Sequence, residues 1–300
     1  MLIVIVAILS FTIYANASKD DSKNQKEKAF AEIKFMEAKL ANLFNSMNNI
    51  ESRNYAVVTS ELSKETTEKS EQDSSSQGES GGGGESSGGG SSGGGSSEGS
   101  SSGGQGGASE EEQNKKKFEL KAKNVLTNTD DINWDSIKSE VENLYTSLPS
   151  ITIDLYQLNI NQEDILAFNT EYDKLTGVVK DEKKEETLAE LTKVYAYLPK
   201  FLSGSGQEEL YTTLIETKNN IFKGYSKLDG ENWEEIGNDV KNAIDSYTKL
   251  LTNTDIDTRK QYNISKAYIM LNELQNAVNL QDTAVFLIKY KNLLEEINNI

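Results

Sequence analysis

The 300-residue sequence contains no cysteine and no histidine. Without cysteine the chain has no disulfide bond, no thiolate nucleophile and no cysteine that could carry a lipid anchor. Without histidine it also lacks the usual general base near neutral pH. Cysteine and histidine are the two commonest transition-metal ligands, and both are missing. These absences argue against an enzyme, and we predict no catalytic residue, no metal ligand and no cofactor.

Basic residues are also scarce, with 31 Lys and Arg against 48 Asp and Glu and a formal net charge of −17. A chain of this sign is repelled by nucleic acid phosphates and by anionic membrane surfaces. We therefore predict no nucleic-acid partner.

The N-terminus, MLIVIVAILSFTIYANAS, contains an apolar run of 13 residues over positions 2–14. This run is shorter than the ~20 residues that cross a bilayer as a helix, and Ala15-Asn16-Ala17 fits the small-x-small pattern of signal peptidase sites. We predict a signal peptide over residues 1–17, although no basic residue precedes the apolar run. The alternatives are an uncleaved anchor, which would be the one membrane span, or a translation start that lies upstream. In each case we expect an extracytoplasmic protein, either secreted or at the cell surface.

Residues 18–72 contain an apolar seam that predicts an amphipathic helix. The seam spacings alternate between 4 and 3 up to Ile50, Val57 follows one heptad later, and no proline or glycine lies inside. Its residues are Ala29, Ile33, Met36, Leu40, Leu43, Met47, Ile50 and Val57. Two interpretations stay open: the helix pairs with a second copy or a partner coil through residues 29–57, or it docks on the C-terminal domain.

Residues 73–112 are almost purely Ser, Gly and Glu, without lysine or arginine. Such a composition cannot bury enough apolar surface to offset its ordering entropy, so we predict a disordered linker. A linker of residues 73–108 would have a root-mean-square reach of ~30 to 36 Å. It would either uncouple the N-terminal helix from the following domain or be a dispensable low-complexity expansion.

Residues 113–300 show helical apolar spacing almost throughout, and we predict an all-α domain. The stretch SITIDLYQL at residues 150–158 is rich in β-branched residues but also fits one helical face, so helix is predicted there too. Asn, Asp and Ser at the breaks are suitable N-caps. The predicted helices span about residues 115–127, 133–148, 150–159, 163–180, 184–202, 207–228, 231–252, 258–279 and 282–298.

The only two tryptophans lie in matching eleven-residue stretches, NWDSIKSEVEN from residue 133 and NWEEIGNDVKN from residue 232. The spacing places each tryptophan at the start of a helix, on its buried face, with Asn133 and Asn232 as N-caps. The residues predicted to form the repeated core are Trp134, Ile137, Val141, Trp233, Ile236 and Val240.

Further along the chain, Leu191, Lys193 and Leu198 match Leu287, Lys289 and Leu294. These pairs are 96 residues apart, close to the 99 residues that separate the two tryptophan stretches. We infer an internal duplication, with repeat 1 over about residues 115–202 and repeat 2 over about 207–300, each made of two helical hairpins. The hairpins would form a closed bundle or a short stack.

The segments NWDSIKSEVENLY, SITIDLYQL, AYIMLNELQNAV and LIKYKNLLEEI resemble uncharacterised exported all-helical proteins of clostridia and related low-GC Gram-positive bacteria. The resemblance covers residues 115–300 and implies no named activity. Members of this group often look lipid-anchored through a signal-peptide cysteine, which is absent here.

We therefore expect a non-catalytic secreted or cell-envelope interaction or structural protein of unknown partner. The 13 tyrosines are the expected binding side chains, because their amphipathic rings suit interfaces. The alternative is an extracytoplasmic solute- or cation-binding protein that uses carboxylates and tyrosines.

Overall fold

The computed structural model describes residues 2–53, 119–122, 125–126, 131–158, 160–205, 209–253 and 256–300. The linker predicted at residues 73–112 lies wholly outside these ranges, as does Val57 of the predicted seam.

The described chain is built from helices and one short pair of strands. In chain order the elements are α1 (Leu2–Ser46), β1 (Ile50–Arg53), β2 (Glu119–Ala122), α2 (Trp134–Gln157), α3 (Gln162–Lys180), α4 (Lys184–Tyr195), α5 (Leu198–Ser205), α6 (Glu209–Tyr225), α7 (Trp233–Leu251), α8 (Thr258–Leu280) and α9 (Thr283–Asn298).

The eight helices after β2 pack as neighbouring pairs, with α2 on α3, α3 on α4, α6 on α7, α7 on α8 and α8 on α9. We refer to α2–α9 as the helical body. The prediction of an all-α domain is confirmed for this body. None of the helices in the described ranges combines the length and apolar character needed to cross a bilayer.

The helix predicted over residues 115–127 is wrong. Glu119–Ala122 forms β2, which pairs antiparallel with β1, so that Ile50 lies opposite Ala122 and Arg53 lies opposite Glu119. The sequence around β2 alternates apolar and polar residues, which is the period of a strand rather than a helix. The two residues that flank the segment 54–118 in the chain therefore lie opposite each other in the ribbon.

Two helix boundaries also differ from the prediction, both near proline. The helices predicted on either side of Pro149 are one continuous helix, α2, with this proline on its exposed side. The single helix predicted over residues 184–202 is interrupted at residues 196–197. Pro199 is the second residue of α5. Its nitrogen carries no hydrogen to donate to the main-chain oxygen of Tyr195, where α4 ends, and its fixed φ suits the first turn of a new helix.

Candidate functional site

The second half of α1 is buried within this chain. The helix packs on α2, α4 and α5. The seam residues that are at most 1% exposed are Ala29, Ile33, Met36, Leu40, Leu43, Met47 and Ile50. The seam therefore faces the chain's own body. Of the two interpretations of the sequence, docking on the C-terminal domain and pairing with another coil, the structure has the docked arrangement.

The helix ends earlier than the seam predicts. Its last residue is Ser46, so Met47 lies in the following turn and Ile50 begins β1. Asn49 has a φ of 53°, in the left-handed region that cannot continue a right-handed helix. The turn lets the chain leave α1 and enter the ribbon.

An aromatic cluster joins the end of α1 to the body. The ring of Phe44 stacks on Phe222 of α6, with 4.3 Å between ring centroids and 2° between the ring planes. Tyr195 and Tyr225 pack edge-on against Phe44, with centroid distances of 6.2 and 6.3 Å. Stacked and edge-on aromatic pairs add to the stabilisation from burial, so this cluster is a major contact of α1.

Three buried tyrosine hydroxyls of the body also bond to α1. Tyr225 donates to the main-chain oxygen of Phe44 at 2.9 Å. Tyr290 of α9 donates to Oδ1 of Asn45 at 2.8 Å, and Tyr195 of α4 donates to Oε1 of Glu37 at 2.9 Å. Three helices of the body therefore hold α1 by directional bonds at defined positions.

A buried ion pair adds a fourth attachment of α1, at the same carboxylate oxygen of Glu37 that accepts from Tyr195. Nζ of Lys218 in α6 lies 3.1 Å from Oε1 of Glu37, and these side chains are 6% and 2% exposed. Lys218 also donates to Oδ1 of Asn298. An unpaired buried charge costs several kcal/mol, so the pair specifies one register of α1 on the body.

Two ion pairs at the rim join α1 to α2. Lys28 pairs with Asp154 at 3.1 Å and Lys39 pairs with Glu140 at 2.8 Å. Rim pairs of this kind contribute little to stability but favour one orientation.

We call the surface formed by Tyr195, Lys218, Phe222, Tyr225 and Tyr290 the α1 docking site.

Two phenols of the α1 docking site, those of Tyr225 and Tyr290, are held in the protonated form. Burial raises the pKa of Tyr225 and of Tyr290 well above the ordinary value for tyrosine. Both hydroxyls therefore remain hydrogen-bond donors at physiological pH and are unsuited to accept a proton. Their arrangement serves the attachment of α1.

The two Asn-Trp motifs begin corresponding helices. Oδ1 of Asn133 accepts from the main-chain nitrogen of Ser136 at 3.0 Å, and Oδ1 of Asn232 accepts from that of Glu235 at 3.4 Å, so both asparagines are N-caps. Trp134 and Trp233 are the first residues of α2 and α7 and are partly buried against the core. The fully buried members of the motifs are Ile137, Val141, Ile236 and Val240. The indoles thus lie at the edge of the core rather than inside it.

Five of the 13 tyrosines expected at an interface lie in the core instead. Those at most 1% exposed are Tyr172, Tyr195, Tyr225, Tyr247 and Tyr290. Their hydroxyls all find partners inside the body or on α1, as in the bond from Tyr172 to the main-chain oxygen of Val141 at 2.9 Å. Only Tyr145 and Tyr262, of those in the described ranges, are more than a third exposed, at 46% and 71%.

The outer face of α8 carries three exposed apolar side chains, with exposed Lys266 and Glu273 between them. Tyr262, Ile269 and Leu280 are 71%, 63% and 67% exposed. At about 100° per residue, their directions around the helix axis agree within roughly 20°. Tyr262 is therefore the tyrosine of the described chain best placed for contact with another molecule.

No group of three or more carboxylates within the described ranges is arranged to hold a metal ion. No protein-family model matches the sequence, and no curated protein and no solved structure is similar to it. The function is therefore inferred from the geometry alone, and the resemblance to exported helical proteins of clostridia stays a prediction.

Proposed function

We propose that this is a non-catalytic secreted or cell-envelope interaction or structural protein, whose helical body holds the segment 54–118 by both of its ends. The observation that carries this proposal is the β1–β2 ribbon, in which Arg53 lies opposite Glu119. A partner in the envelope or outside the cell would be contacted through the held segment.

The length of the segment supports this role. Residues directly opposite in an antiparallel pair have Cα atoms about 5 Å apart, and a turn of two residues is enough to join them. The sequence places 65 residues there. The need to connect the two strands therefore does not explain why the segment is 65 residues long.

Export is compatible with the position of α1 in the body. α1 runs through Ala17, the predicted cleavage position, and the first buried side chain among those described on it, from residue 24 onward, is Ala29. Cleavage after Ala17 would remove none of these described buried side chains.

The proposal includes an internal duplication in which α1 is the first helix of repeat 1. α1 precedes α2 and packs on it, as α6 precedes α7 and packs on it, and both second helices begin with Asn-Trp. The stacked rings of Phe44 and Phe222 join the two first helices. Repeat 1 would then be α1–α5 with residues 54–118 inserted, and repeat 2 would be α6–α9.

The proposal is tested by replacing residues 54–118 with Asn-Gly in the full-length protein expressed in a Gram-positive host. We expect the unmodified and the shortened protein to be exported and to have equal melting temperatures. The fraction of protein bound to the envelope should be at least tenfold lower for the shortened form than for the unmodified one. A second form, with the residues of 54–118 in shuffled order, distinguishes a specific contact from a requirement for length. Retention in the cytoplasm, or unchanged envelope binding by the shortened form, would contradict the proposal.

A further inference from the structure

We propose that the α1 docking site also accepts α1 and β1 from a second copy of this chain, so that neighbouring copies exchange their N-terminal helices. This goes beyond the proposed function, because it names both the occupant and the surface that it occupies.

The docked element is joined to the body by one covalent connection. Residues 2–53 contain α1 and β1, and only the segment 54–118 links them covalently to β2 and the body. The other described attachments are all non-covalent: the buried seam, the aromatic contacts of Phe44, three tyrosine hydroxyl bonds, the pair of Glu37 with Lys218, the two rim ion pairs and the strand pairing. The same element from a second copy makes the same contacts, so exchange changes only the entropy of the connection.

The connection is long enough to reach a second body. A chain of 65 residues spans at most about 220 Å, whereas a domain of this size has a radius of gyration of about 17 Å. A connection of this length also lowers the effective concentration of α1 at the docking site of its own chain to the millimolar range. Copies crowded on a surface reach comparable concentrations, so we expect monomers in dilute solution and exchange at high local density.

The buried ion pair allows a test that separates docking within one chain from docking between chains. Glu37 lies on the exchanged helix and Lys218 lies on the body. The variants Glu37→Lys and Lys218→Glu each place like charges in the docking site when α1 docks on its own body. When two such chains exchange helices, both docking sites again combine one glutamate with one lysine.

The two variants are mixed in equal amounts, unfolded together in urea and refolded at high protein concentration. Size-exclusion chromatography with light scattering then measures the mass. We expect a species of twice the monomer mass, at least tenfold more abundant than after refolding either variant alone. A mixture that contains only monomers would overturn the proposal.

Two controls fix the interpretation. The double variant Glu37→Lys with Lys218→Glu restores the pair within one chain and should remain as monomeric as the unmodified protein. Lys138 and Glu182 form an exposed ion pair in which both residues belong to the helical body. A mixture of Lys138→Glu with Glu182→Lys should therefore give no dimer, because exchange of α1 cannot rejoin that pair.

A second measurement leaves the buried pair intact, in case the charge variants do not fold. Glu51 and Lys121 are opposite partners in the ribbon, at a Cα separation suited to a disulfide, and the chain has no other cysteine. Copies carrying Glu51→Cys are refolded with copies carrying Lys121→Cys and oxidised. We expect disulfide-linked dimers well above the level given by Glu51→Cys with Lys138→Cys, and equal levels in the two mixtures would overturn the proposal.

Discussion

Phe44 and Phe222 stack face to face across the contact between α1 and α6, with their ring planes 2° apart. Both side chains are fully buried, although 178 positions separate them in the sequence. The N-terminal helix is thereby part of the core of the body, and its removal would expose an aromatic surface.

The first prediction concerns this aromatic contact. Phe44→Ala should lower the free energy of unfolding by about 3 to 5 kcal/mol, because it removes a fully buried ring and leaves a cavity. Urea denaturation followed by circular dichroism measures the loss. Phe35→Ala, at a partly buried ring on the same helix, should cost clearly less. Equal losses for the two variants would mean that α1 is not docked through Phe44.

The second prediction concerns the buried ion pair. Lys218→Met should cost about 3 to 5 kcal/mol, because it leaves the carboxylate of Glu37 buried without its cation. The double variant Glu37→Leu with Lys218→Met should be more stable than Lys218→Met alone, since neither of these two positions then carries a buried charge. The four proteins of this double-mutant cycle are compared by urea denaturation. Simple additivity of the two losses would show that the side chains are not paired.

The third prediction concerns the tryptophans. Because Trp134 and Trp233 are only partly buried, each change to alanine should cost about 1 to 3 kcal/mol, below the value for a fully buried ring. The two losses should be similar, because both indoles begin equivalent helices. Thermal unfolding followed by calorimetry measures both. Ile137→Ala and Ile236→Ala, at fully buried positions in the same motifs, serve as matched references.

The fourth prediction concerns alkaline pH. The pKa of Tyr225 is raised by burial in the folded protein, so the folded state holds this proton more tightly than the unfolded state does. The resulting stability is complete below about pH 10, the ordinary pKa of tyrosine, and is lost as the pH rises toward the folded-state pKa. We expect the melting temperature to fall steeply above about pH 10, with phenolate absorbance of the buried tyrosines rising only on unfolding.

A Tyr225→Phe variant is the control for this alkaline effect. It should lose about 1 kcal/mol at neutral pH, through the missing bond to the main-chain oxygen of Phe44, and should show a shallower decline above pH 10. Full phenolate absorbance near pH 10 in a folded protein would show instead that these phenols are accessible to solvent.

Local chemistry accounts for what the sequence predicts well. The asparagines before each tryptophan are N-caps because their side chains bond to nearby main-chain nitrogens, an interaction contained within four residues. The apolar spacing of α1 likewise indicates a buried face. It does not indicate which surface covers that face, because docking and self-pairing need the same pattern.

Long-range pairing accounts for what the sequence does not predict. Glu37 and Lys218 are 181 residues apart, and no local pattern relates them. The strand β2 is too short for its alternation to outweigh the helical pattern that follows, and it forms only because β1 lies beside it. The tyrosines of the core escape prediction because their hydroxyls need partners that only the folded chain supplies.

The paired strands also bear on how the gene can vary. Each doubling of the length of a flexible connection costs only about 0.6 kcal/mol in closure entropy. Runs of serine and glycine codons can therefore lengthen or shorten between strains with almost no penalty for folding, and foreign sequences inserted at this position should be carried without disturbing the rest of the molecule.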